Sequence, residues 1–217
     1  MIDYKTKYIL YDFDGVLADS LSAHIKFLKF MNVGLELKLE LPDVNDIEAC
    51  RKIVKSPMEE FIRGAGFPDY LVNWIDWRYK KIFSEGGEFE FGLFEGVSEG
   101  VKELREMGFI QGIVSSNYKE NISHELAKND IAHYFDWRFG REELERGSKF
   151  LTLLKLKNSF EGGFCYVGDM EGDYLAAKKA GMTFIGTSYG WGFDESEKRF
   201  PVARNPEHLK ELIMFLD

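Results

Sequence analysis

The chain has 217 residues, enough for one domain or one domain with a sizeable insertion, and long enough to bury a core without disulfides or a structural metal. Apolar residues make up 45%, including 19 Phe, 10 Tyr and 4 Trp, which excludes an intrinsically disordered chain. Acidic residues outnumber basic ones 37 to 28, a formal net charge of -9, so no nucleic acid or anionic membrane is expected as a partner.

No apolar run reaches the length that crosses a bilayer. Met1 to Lys5 lacks the basic-then-apolar order of a signal peptide. Cys50 and Cys165 form no CxxC or Cys/His cluster. A cytoplasmic location, with both thiols reduced, is the expectation.

The first expected strand, Lys7 to Tyr11, runs into Asp12-Phe13-Asp14-Gly15-Val16. Alternation places Asp12 and Asp14 on one side and Phe13 on the other. Two carboxylates this close repel, and a divalent cation would relieve the conflict. A plain turn at a solvated strand end would use the same residue types.

About 90 residues separate this strand from the next, too many for an ordinary crossover. The stretch reads as helical. Residues 20–31 place Leu21, His24, Leu28 and Met31 on one face. Ser56-Pro57-Met58-Glu59 reads as a capping box with Pro at the first helical position. Asp69 precedes Leu71, Val72, Ile75, Tyr79 and Ile82 at helical spacing. Residues 18–90 are thus expected to form a helical insertion over the carboxyl edge of the sheet. Gly86, Gly87 and Gly92 would form its return hinge or simple turns.

Beyond the insertion, Ser98 is expected to cap a helix carrying Val101, Leu104 and Met107, ended by Gly108. The strand Phe109 to Val114 follows, then Ser115-Ser116-Asn117. Small hydroxyls opening a helix with free N–H groups suit a phosphate, and suit ordinary capping equally. The next strand is Phe135 to Phe139. Lys149 then starts a helix, where the macrodipole disfavours a cation. It is a functional lysine or a solvated one. The strand Phe164 to Val167 leads into Gly168-Asp169-Met170-Glu171-Gly172-Asp173, which sets a carboxylate at a strand end and a second acid four residues on. Asp173 also suits an N-cap for a helix with Leu175, Ala176 and Ala180, ended by Gly181. Thr183 to Ile185 is the last expected strand. This strand–helix alternation predicts an α/β fold with a Rossmann-like, mainly parallel sheet and an inserted helical domain. In such a sheet ligands bind at the carboxyl edge, where all four clusters fall.

Taken in order, these clusters resemble the haloacid dehalogenase-like superfamily over nearly the whole chain. Asp12-x-Asp14-Gly15-Val16 is similar to its first motif, Ser115 to its second, Lys149 to its third and Gly168-Asp169-x-x-x-Asp173 to its fourth. The insertion is similar to its C1-type cap, which divides the chain into a core of residues 1–17 and 91–217 and a cap of residues 18–90. Ala176 to Met182 and Thr187-Ser188-Tyr189-Gly190-Trp191-Gly192 look like phosphoglycolate phosphatase-type members. Relatives often carry Lys-Pro at the third motif where this chain has Lys149-Phe150, so Lys155 and Lys157 stay as alternatives. Ser115 and Ser116 compete for the second.

The resemblance implies a Mg²⁺-dependent phosphatase acting on a small phosphorylated metabolite, as a monomer or homodimer. Asp12 would be the nucleophile and Asp14 the general acid and base. Mg²⁺ would sit on the Asp12 carboxylate, the Asp14 backbone carbonyl and Asp169. Ser115, Ser116 and Asn117 would hold phosphoryl oxygens. Lys149 would balance charge beside Asp12, and Asp173 would orient metal-bound water. A phosphosugar mutase of the β-phosphoglucomutase type needs the same core plus basic cap residues, for which Arg51, Lys52, Lys55 and Arg63 are available. A phospho-acceptor signalling module is a third reading. The turn from Arg63 to Pro68 is either a substrate loop or a helix end. Tyr189 and Trp191 either line the pocket or pack under the cap.

Overall fold

Alternate residues of each central strand enter two different cores. Ile9 and Tyr11 join Cys165, Val167 and Ile185 on one face, and Tyr8 and Leu10 join Phe164, Tyr166 and Phe184 on the other. A strand buried on both faces reads as a continuous apolar run, which is why these segments stand out in the sequence. The computed structural model describes residues 6–87 and 89–216.

The sheet has the order β5-β4-β1-β6-β7-β8. Its strands are β1 (Thr6–Tyr11), β4 (Ile110–Val114), β5 (Trp137–Phe139), β6 (Gly163–Gly168), β7 (Thr183–Thr187) and β8 (Val202–Ala203). All neighbours pair in parallel. This is the expected α/β, Rossmann-like arrangement, with β1 at the centre. The five expected strands are present, though Phe135 precedes β5 rather than starting it. The sixth, β8, is two residues long and carries no periodicity to find.

Helices α5 (Val97–Glu106), α6 (Lys119–Lys128) and α9 (Pro206–Met214) cover one face, through Val101, Leu104, Ile122, Leu126 and Ile213. Helices α7 (Lys149–Ser159) and α8 (Glu171–Ala180) cover the other through Leu153, Leu156, Ala177 and Ala180. Each fully buried Val, Leu or Ile side chain here stabilises the fold by about 1.5–3 kcal/mol.

Several helix ends depart from expectation. Ser98 lies inside α5, whose cap is Gly96 in the left-handed region at φ 88°. Met107 falls after the helix end and is 39% exposed. Leu175 is exposed as well, because the small Ala176, Ala177 and Ala180 form the packing face of α8. Asp173 is the third residue of α8 rather than its cap. Ser56 makes no cap, since the next helix starts at Met58 after a cis Ser56–Pro57 bond.

Between β1 and β4 the chain leaves and returns through a ribbon. In it, β2 (Ala18–Asp19) pairs antiparallel with β3 (Gly92–Leu93). Helices α1 (Leu21–Gly34), α2 (Ile47–Ile53), α3 (Met58–Gly64) and α4 (Asp69–Glu85) lie between those two strands in sequence. They share a third apolar cluster built on Phe27, Leu28, Phe61, Val72, Ile75, Tyr79 and Phe83, closed by Trp191. The face read on α1 is buried as expected: Leu21, His24, Leu28 and Met31 are each at most 4% exposed. On α4, Val72, Ile75 and Tyr79 are buried, whereas Leu71 and Ile82 are only partly so. Cys50 and Cys165 are both free and buried. Among the described residues no helix is long and apolar enough to cross a membrane.

Candidate active site

The site forms where β1, β4 and β6 end side by side. Asp12 follows β1 directly, and its N–H donates to the Val167 carbonyl (2.8 Å), which carries the sheet register one residue further. Its side chain is 9% exposed, and the carboxylate accepts from the Phe13 N–H (2.8 Å). Phe13 points the other way into the core, as alternation requires. The chain then folds tightly, with the N–H groups of Leu17 and Ala18 on the Phe13 carbonyl. Gly15 permits this turn at φ +74°, and a Cβ there would fall 2.1 Å from Oδ2 of Asp169.

Asp169 follows the end of β6, and Asp173 sits in the first turn of α8. Asp12, Asp169 and Asp173 offer carboxylate oxygens within 4.8 Å of one another, all buried. One cation faces them. Lys149 opens α7, and its ammonium donates to Asp12 (2.6 Å) and to Asp173 (2.7 Å). Burial alone would lower the lysine's pKa, but the two carboxylates more than reverse this and hold it above its ordinary value. Among the described residues Asp169 has no such partner. Burial, then the charges of Asp173 and Asp12, push its pKa well above the carboxylate range. Its Oδ2 accepts one backbone N–H, from Trp191 (2.8 Å). Three buried acids against one ammonium leave a surplus of negative charge and all-oxygen donors, which fits a hard divalent cation.

Asp14 faces a different environment. Its carboxyl accepts from the Ser20 hydroxyl (2.6 Å) and the Asn117 amide (2.8 Å). His24 lies 3.8 Å away. Burial pushes Asp14 up to about 7, and the charge of Asp12 adds to this against the two hydrogen bonds. The two aspartates of one motif therefore differ in chemistry: Asp12 is paired with a cation, while Asp14 is poised to give and take a proton near neutrality.

The loop after β4 supplies polar groups. Ser115 is 1% exposed, and its hydroxyl accepts from the Asn117 N–H (3.2 Å). The helix expected to open at this run begins only at Lys119. The Asn117 side-chain oxygen accepts from Tyr118 and Asn121, so this residue holds its own loop as well as Asp14.

One pocket collects Asp12, Asp14, Ser115, Ser116, Asn117 and Asp169, with Met58, Phe61, Tyr79 and Trp191 as its apolar wall. Lys149 and Asp173 reach it through Asp12. Other expectations fall away. Lys155 pairs with Glu145 at an exposed position, and Lys157 bonds the Gly181 carbonyl. Arg63 is spent on Glu60 and Asp69, so the turn after it is a helix end. Trp191 lines the pocket, whereas the Tyr189 hydroxyl donates to the Val16 carbonyl (3.1 Å). Sequence reasoning missed Ser20, His24 as a polar group, and Gly190. A histidine on the apolar face of α1 was the available signal for His24. A Cβ on Gly190 would fall 2.5 Å from that of Asp169, a closeness the sequence does not display.

The model of the haloacid dehalogenase-like hydrolase family matches residues 9–187. The chain belongs to that family. It is similar to the phosphoglycolate phosphatase of Haemophilus influenzae, at 25% identity over 211 residues that cover 87% of this chain and 88% of the relative. The phosphoglycolate phosphatase of Synechococcus elongatus is 26% identical, covering 94% and 92%. A solved haloacid dehalogenase-like hydrolase from Streptococcus pneumoniae superposes with a TM-score of 0.79 at 19% identity, over 97% and 99% of the two chains. At that identity it shows the shared fold. The chain is thus a hydrolase of this family, similar to its phosphoglycolate phosphatases.

Proposed function

We propose that this protein is a Mg²⁺-dependent phosphatase that hydrolyses a small phosphate monoester through an aspartyl-phosphate on Asp12. The observation that carries the reading is the contrast between Asp12 and Asp14. One carboxylate is paired with the Lys149 ammonium, and the other, two residues away, is raised by burial to about 7.

In this reading a carboxylate oxygen of Asp12 attacks phosphorus, and the bond to the ester oxygen breaks. The leaving alkoxide takes the proton of Asp14. Asp14, now a base, removes a proton from the water that attacks the aspartyl-phosphate, releasing inorganic phosphate and restoring Asp12. Ser115 and Ser116 hold phosphoryl oxygens. Asn117 sits within the same wall and also aims Asp14. Lys149 compensates the charge of Asp12 and fixes its direction. Asp12, Asp169 and the Asp14 backbone carbonyl would hold Mg²⁺, with Asp173 behind them. When bound, the ion supplies positive charge against the transferring phosphoryl group.

Residues 18–90 act as the cap and residues 1–17 and 91–217 as the core. The cap's cations support hydrolysis over a mutase. Arg51 is spent on the carbonyls of Ser188 (3.0 Å) and Gly190 (2.6 Å), Arg63 on Glu60 and Asp69, and Lys55 alone of the four basic candidates lines the pocket. A site for two phosphates needs more. The test is phosphate release from p-nitrophenyl phosphate, phosphoglycolate, sugar phosphates and nucleotides, with Mg²⁺ and with EDTA. Metal-dependent release supports the phosphatase; sugar phosphate isomerised without release supports the mutase.

A further inference from the structure

Apart from Trp191, the pocket's apolar wall belongs to α3 and α4, yet neither helix is part of the sheet that carries the aspartates. Something must hold them over the site. Met58 and Phe61 come from α3, and Tyr79 from α4. On the side of these helices that faces the sheet lies Arg141, in a short 3-10 turn after β5. Its guanidinium reaches both helices at once. It pairs with Glu59 of α3 and with Asp76 of α4 (3.2 Å), and its side chain is only 26% exposed. It also donates to the Tyr118 hydroxyl (3.3 Å), and its centre lies 5.1 Å from the Tyr118 ring. The Tyr118 hydroxyl in turn donates to Asp76. Lys80, one turn after Asp76, closes the cluster on Glu142 (2.7 Å) and Glu120 (3.2 Å).

The same arginine is tied to the site from below. Its backbone N–H donates to the Asn117 carbonyl (2.8 Å), and the Tyr118 N–H donates to the Asn117 side chain (2.7 Å) that bonds Asp14. The Asp76 carboxylate is 8% exposed, and that of Glu59 16%. Two acids this buried need a cation, and the forked guanidinium gives each its own nitrogen, Nη2 toward Glu59 and Nη1 toward Asp76. Removing one member of such a buried group costs far more than losing a surface pair.

We propose that Arg141 is a positioning residue that latches α3 and α4 over the pocket, acting through Glu59, Asp76 and Tyr118. It touches no reacting atom. Its loss lowers the fraction of molecules with a formed pocket wall, and apparent substrate affinity falls by that fraction.

The kinetic part rests on the phosphatase reading, so the test has two arms. The first is amide hydrogen exchange of full-length protein over Met58–Gly64 and Asp69–Glu85, which needs no turnover. Arg141→Gln should raise exchange there by about tenfold while β1, β4 and β6 stay protected. Arg141→Lys should fall between it and the unaltered protein. Tyr118→Phe removes only the hydroxyl and serves if Arg141→Gln does not fold; it should raise exchange in α4 more than in α3. Arg105→Gln breaks a bidentate pair between α5 and Asp136, with no member on α3 or α4, and is the control. The second arm is hydrolysis of p-nitrophenyl phosphate with Mg²⁺, where Arg141→Gln should raise KM about tenfold with kcat within about twofold. Unchanged exchange in α3 and α4, or an equal rise with Arg105→Gln, overturns the latch. A fall in kcat at constant KM overturns it too. Absence of turnover in the unaltered protein overturns the phosphatase reading instead, and the exchange arm still decides the latch.

Discussion

Nε2 of His24 lies 3.8 Å from Oδ1 of Asp14 and 3.0 Å from the Tyr79 hydroxyl, and burial drives the two titrating groups in opposite directions. The imidazole is lowered to about 3 and the carboxyl raised to about 7. A proton that an exposed pair would place on histidine therefore resides on aspartate.

This relationship has a signature in stability. Between about pH 3.8 and 6.5 the unfolded chain binds one proton at His24, and the folded chain binds one at Asp14. The pair then adds no slope, because both states hold the same number of protons. His24→Gln removes only the unfolded-state proton. The folded state then binds more, so the variant should lose stability relative to the unaltered protein as pH rises from about 4 to 7, by up to about 1.4 kcal/mol per pH unit. Urea unfolding in EDTA at stepped pH measures this. Parallel curves for the two proteins would contradict a raised Asp14.

Asp169 should trade stability for metal binding. Its carboxylate is buried beside two others with a single backbone donor, so its charge opposes folding when no cation is bound. Asp169→Asn keeps an acceptor for the Trp191 N–H and removes the charge. In EDTA at pH 7 the variant should be more stable, by about 1–3 kcal/mol. In titration calorimetry it should bind Mg²⁺ at least about tenfold more weakly. Unchanged Mg²⁺ affinity would remove Asp169 from the ligand set.

Gly190 tests how tightly the backbone encloses that acid. An added Cβ would lie 2.4 Å from the Gly15 carbonyl and 2.5 Å from the Asp169 Cβ. Neither neighbour is the free end of a flexible chain. Gly190→Ala should cost about 1–3 kcal/mol in urea unfolding and weaken Mg²⁺ binding with it. Loss of stability with full metal affinity would show that Asp169 is fixed by other contacts.

Much of this was legible because the carboxyl ends of strands carry both pattern and chemistry. Asp12 and Asp169 follow apolar runs whose alternation fixes where each strand ends, so their meeting follows from a parallel sheet alone. Lys149 could be read as unusual from its place at a helix start. The pairing of Arg141 with Asp76, 65 residues apart, could not be read. It depends on where α3 and α4 rest over the sheet, and no periodicity encodes that. The same holds for Ser20 and His24, whose polar atoms meet Asp14 only once α1 is in place. Ser98 failed as a cap because a left-handed Gly96 turns the chain two residues earlier. A helix start set by backbone conformation leaves a weaker trace than one set by a hydroxyl.

The central claim is that Asp12 carries the phosphoryl group. The most direct measurement is mass spectrometry of protein quenched in acid during turnover of p-nitrophenyl phosphate with Mg²⁺, followed by peptide mapping. A phosphoryl group on the peptide holding Asp12, absent from folded Asp12→Asn together with a loss of turnover of at least about 10³-fold, is the expected result. Turnover with the group on another residue, or undiminished turnover in folded Asp12→Asn, would contradict it.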